Sequence, residues 1–205
     1  LFFYGLLGIG VGSFLLLRAH YLLYKRAILW AFVVSFLGFL AGFNQLPISW
    51  MWYDTAISPQ THITQTILMN LMGFIQDFIL LGISFIAAES LTRKAFPDHA
   101  QFWKTLSPQT APSKRSLGNV LGGYGMVPLN LALVLGFYLF TASKLGWWNP
   151  AGLQVDPNFI AMPMPWLSVL SMALHAGFWE EALFRAIPLA GMILIGRQFK
   201  KEKLF

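Results

Sequence analysis

The chain has 205 residues, 57% of them hydrophobic and only 11% charged, with 19 Phe, 8 Trp and a formal net charge of +6. This mix is far from that of a soluble domain and marks an integral membrane protein. These residues contain no cysteine, which excludes disulfides, thiolate nucleophiles and Cys-ligated metals.

In chain order, five apolar runs approach the roughly 20 residues that a spanning helix needs, at about 1–17, 27–43, 67–88, 120–142 and 166–196. Backbone in hydrocarbon must satisfy its own hydrogen bonds, and no run alternates as a strand would, so all five are predicted as α-helices. The expected fold class is an all-α membrane protein, a polytopic transmembrane bundle forming one domain over 1–205. The first run starts at Leu1 without a charged region before it, so it is not an intact signal peptide, and the chain is read as a fragment of a longer domain. The last run is long enough to tilt, or to break at Pro188.

The connections carry an orientation signal. Arg18, Lys25 and Arg26 follow the first run, and Arg93, Lys94, Lys104, Lys114 and Arg115 follow the third. Arg197, Lys200, Lys201 and Lys203 follow the fifth, so twelve of the fourteen Lys and Arg share one side. The positive-inside rule makes that side cytoplasmic, with residue 1 outside and residue 205 inside. The net charge is thereby a topology signal, and no nucleic-acid partner is needed to explain it. Trp50, Trp52 and Tyr53 in one outer connection, and Trp147, Trp148 and Trp166 beside the other, suit rings at headgroup depth. "AFPDHAQFWKTLSP" is predicted as a short surface helix starting near Pro97, with Phe102, Trp103 and Leu106 on one side. The "SPQTAPSKRS" that follows is a loop, and the Gly-rich "GNVLGGYG" at 118–125 lacks phosphate-loop spacing.

Within the third run, Asn70, Asp77 and Ser84 recur every seven residues, with Gly73 near the same stripe. The stripe drifts only about 20° per step. It lines the bundle interior with interhelical hydrogen bonds or, in the alternative, lets Asp77 hydrate the site or bind an ion. Asn130 in the fourth run is a possible partner.

The fifth run carries the strongest chemical signal, "HAGFWEEALFRAIP" at 175–188. A charged side chain at membrane depth costs about 2.5–3.5 kcal/mol on insertion scales unless it is paired or hydrated. On a regular helix Glu181 and Arg185 lie about 40° apart, whereas Glu180 and Arg185 lie about 140° apart. Glu181 and Arg185 are therefore expected to pair, leaving Glu180 on another face beyond the small Ala176 and Gly177, placed to act as a general base on water. The site falls about 14 residues, or roughly 21 Å, from Trp166, in the cytoplasmic half. His175 precedes Glu180 by five residues, also about 140° round, so the two share no ligand face, and there is no HExxH spacing. His175 is assigned to helix packing, and His20, His62 and His99 lie outside the spans.

"EEALFR", with its apolar and small-residue flanks, resembles the first motif of the CPBP family of type-II CAAX prenyl proteases and of bacteriocin-processing and Abi intramembrane proteases. The resemblance covers about 166–196. It implies an intramembrane glutamate-dependent endopeptidase acting on a membrane-associated, possibly prenylated, peptide. Glu180 would be the catalytic base, and Glu181 and Arg185 its supports. The family also uses later FxxxH and HxxxN-type motifs, with a divalent metal such as zinc or an oxyanion role assigned to them; neither motif occurs in these 205 residues. The fragment alone is thus expected to be inactive. Rival readings are a non-catalytic scaffold or regulatory subunit of the same fold, and a proton-coupled transporter using Asp77 and Glu180.

Overall fold

The computed structural model describes residues 9–10, 13–14, 17–18, 22–97, 107–108, 110–147 and 158–199. The secondary structure among them is helical, without a strand. In chain order the elements are α1 (Lys25–Asn44), α2 (Leu46–Ser49), a 3-10 turn (Trp50–Trp52), α3 (Pro59–Ala95), α4 (Lys114–Leu145), α5 (Asn158–Ala161) and α6 (Pro165–Glu180). A π turn (Glu181–Ala186) and α7 (Ile187–Gln198) then continue α6. Two compact units result, Leu1–His99 with Pro157–Phe205, and Ala100–Asp156.

Among the described residues, three helices are long and apolar enough to cross a membrane: Lys25–Asn44, Pro59–Ala95 and Ser116–Leu145. The predicted second and fourth runs fall inside α1 and α4. The third, expected at 67–88, is the 37-residue α3, about 55 Å long at 1.5 Å per residue. Local chemistry explains both extensions. Ser58 caps the start by accepting the Thr61 N–H at 3.1 Å, and Pro59 occupies the first turn, where no N–H is missed. At the other end Pro97 drives Phe96 out of helical geometry (φ −132°, ψ 77°). The expected run at 1–17 and surface helix after Pro97 lie largely outside the described residues, as does Trp148.

In the first unit, α1 packs on α3 and α6, and the π turn and α7 pack on α3. α1 makes this possible with a stripe of small buried side chains, Ala27, Ala31, Ser35 and Ala41, which lets helix backbones approach where no water-driven attraction operates. The approach is closest at Gly42: a Cβ there would collide with the side-chain amide of Asn70, which donates to the Phe39 carbonyl at 3.0 Å. Gly42→Ala is accordingly expected to cost about 1–3 kcal/mol, read as a lower unfolding midpoint in detergent. Leu81, Phe85 and Leu91 of α3 and Ala182, Leu183, Ile187 and Ala190 after α6 complete the core.

α1 ends at a polar clamp. Asn44, 4% exposed, accepts the Met164 N–H at 2.8 Å and donates to the Met164 carbonyl at 2.7 Å. It also reaches Ser168 Oγ at 3.3 Å. One amide thus satisfies both backbone groups of the residue preceding α6 and fixes where α6 starts. The second unit contains α4, capped by the Ser113 hydroxyl on the Ser116 N–H and closed by Gly146 at φ 64°, a left-handed geometry that suits glycine.

The fifth predicted run is one helical path from Pro165 to Gln198. It does not break at Pro188. It widens just before it: the Ile187 N–H bonds to the Ala182 carbonyl, five residues back. Proline lacks an N–H and its ring crowds the carbonyl four residues earlier, so a wider turn ahead of Pro188 accommodates both.

Candidate functional site

The π turn lies on the "EEALFRA" sequence. Arg185 donates to Glu181 at 2.9 Å, as the i, i+4 spacing predicts, with both side chains more than half exposed. Glu180, the last residue of α6, is exposed and has no hydrogen-bond or ion-pair partner among the described residues. Ala182 and Leu183 are buried against the core on the opposite side of the same turn. The core-facing positions therefore fix the turn, whereas Glu180, Glu181 and Arg185 are all exposed. The 140° separation of Glu180 and Arg185 was a property of a regular helix, and the π turn alters it; Arg185 nevertheless takes Glu181 as its partner.

The residues flanking Glu180 are held tightly. Phe178 sits between Trp30 of α1 (5.6 Å between ring centroids, stacked) and Phe85 of α3 (5.7 Å). Trp179 stacks on His175 at 5.5 Å. His175 Nε2 in turn lies 3.5 Å from Asp77 Oδ2 of α3. This contact joins two residues that the sequence keeps apart, Asp77 on its polar stripe and His175 in a predicted packing position. Residues on different helices give no local spacing signal from which their pairing can be read.

The rest of the stripe divides between the interior, where Ser84 is buried, and the surface, where Gly73 is exposed. Asn70 donates to α1, as described, and the Ser84 hydroxyl donates to the Leu80 carbonyl of its own helix at 2.7 Å. Asn130 belongs to the second unit. At the far end of α3, His62 lies 3.3 Å from Ser49 Oγ and against the rings of Trp50 and Tyr53, each 5.1 Å away, an amphipathic cluster of the kind found at headgroup depth. His20 and His99 lie outside the described residues. Arg93, counted above only as a topology charge, reaches Glu89 at 3.4 Å and the Pro97 carbonyl at 3.2 Å, so it also finishes the last turn of α3.

Among the described residues no three His, Cys, Asp or Glu side chains converge to hold a metal ion. No protein-family model, curated protein or solved structure matches this chain.

Proposed function

We propose that this chain is part of an intramembrane endopeptidase of the CPBP kind, with Glu180 as the base that activates water. One observation supports it above the others: in an apolar helical run, Arg185 neutralises Glu181 and leaves the neighbouring Glu180 without a counter-ion among the described residues. A lone carboxylate at membrane depth is costly and is retained where it has work to do. Water attacks the scissile carbonyl carbon while Glu180 takes its proton. The C–N bond then breaks, and the same proton passes to the departing amine; the new carboxylic acid gives up water's second proton, so the products are a carboxylate and an ammonium.

The substrate proposed is a membrane-associated, possibly prenylated peptide, and the bilayer is the second partner. The proposal includes five spans, with the basic connections cytoplasmic, residue 1 outside and residue 205 inside. The π turn supports the reading independently, because π bulges in helices concentrate at functional sites.

The test is cleavage of a farnesylated CAAX-type peptide by the full-length protein in bilayer nanodiscs made up in ¹⁸O-water. One labelled oxygen in the new carboxyl group is the outcome expected. Absence of any cleavage would move the weight to the scaffold reading.

A further inference from the structure

We infer that Asp77 and His175 form an interhelical tether that sets the rotation of α6 about its own axis, and thereby the direction in which Glu180 faces. The consequence for catalysis rests on the reading of Glu180 given above; the tether itself does not.

α6 is held at three levels. At its start the Asn44 amide clamps Met164, and near its end Phe178 lies between Trp30 and Phe85. The aromatic contacts fix how closely α6 approaches α1 and α3. Apolar packing is non-directional, however, and tolerates a helix turning in its seat. The contact between Asp77 and His175, 3.5 Å from oxygen to nitrogen, reaches across from α3 and is met at one rotation of α6.

Its position matters. His175 is five residues, about 7.5 Å of helix rise, before Glu180, and its ring carries Trp179, the residue bonded to Glu180, by stacking at 5.5 Å. A chain of contacts thus runs from α3 through Asp77, His175 and Trp179 to the backbone of Glu180. No other charged side chain lies within ion-pair distance of Asp77 or His175 among the described residues. The tether is therefore a closed pair rather than one edge of a wider network. Asp77 and His175 are positioning residues, and neither needs to touch the substrate.

The chain's 205 residues contain no cysteine, so Glu180→Cys places a unique thiol among them at the position in question. The chain carrying it, in lipid vesicles, is treated with a small anionic methanethiosulfonate, and the labelling rate is compared across tether variants. Asp77→Asn and His175→Gln are each expected to lower that rate by at least about threefold, and the two together to lower it no further, as for residues acting through one contact. The exchanged pair, Asp77→His with His175→Asp, is expected to restore it, which a merely destabilised fold would not do. Separately, Asp77→Cys with His175→Cys is expected to be bridged by a bifunctional thiol reagent of about 5 Å span, within the reach of two facing side chains on neighbouring helices.

An unchanged labelling rate in both single variants, or additive losses that the exchange does not repair, would overturn the tether. Labelling needs no proteolysis. Failure of the tether thus shows itself here, and failure of the Glu180 reading shows itself as persistent cleavage by Glu180→Gln.

Discussion

Glu180→Gln is expected to lower peptide hydrolysis by about 10³-fold, within what a positioned base contributes, because among the described residues no neighbouring carboxylate is free to replace it. Glu181 is one residue away but is engaged by Arg185 at 2.9 Å. Glutamine keeps the size and the helix propensity of glutamate and removes only the proton-accepting charge. Glu180 contributes no hydrogen bond to the fold among the described residues, so unfolding midpoint and helical content should stay at wild-type values. A loss of cleavage with unchanged stability, measured on the same preparation, is the combined result expected.

Asn44→Leu is expected to cost about 1–3 kcal/mol of stability, because Asn44 is 4% exposed and anchors Met164. The side chain is nearly isosteric, so little of the cost is a packing change. Most of it comes from Met164, whose N–H loses its partner and whose carbonyl keeps only the Leu167 N–H at 3.1 Å. An unsatisfied backbone group costs about 1–3 kcal/mol, more where it is buried and less where water can reach it. Asn44→Asp separates the two halves of the clamp. It can still accept from the Met164 N–H and can no longer donate to the carbonyl or to Ser168, so its midpoint should fall between wild type and Asn44→Leu. Reversible unfolding in mixed micelles, followed by tryptophan fluorescence, reads both.

Much of this architecture was legible because lipid imposes simple rules. Apolar length located α1, α3 and α4, and the helical period placed Arg185 on Glu181. Three features were hidden for physical reasons. The ends of α3 depend on Ser58, Pro59 and Pro97, which act through caps and backbone angles rather than through hydrophobicity. The π turn could not be read from periodicity, since Pro188 predicts a disturbance but not whether the path breaks or widens. Asp77 with His175, and Asn44 with Met164, join different helices, and a single sequence carries no spacing rule for contacts of that range. Of the site, the residue types and the local pair were readable, whereas the tether behind them required the packed structure.

The central claim is that two adjacent glutamates have different tasks. It is tested most directly by measuring cleavage of the same farnesylated peptide by full-length Glu180→Gln and Glu181→Gln proteins reconstituted side by side. The account predicts background hydrolysis from Glu180→Gln and a reduced but measurable rate from Glu181→Gln, whose loss frees Arg185 without removing the base. Wild-type cleavage by Glu180→Gln would contradict it.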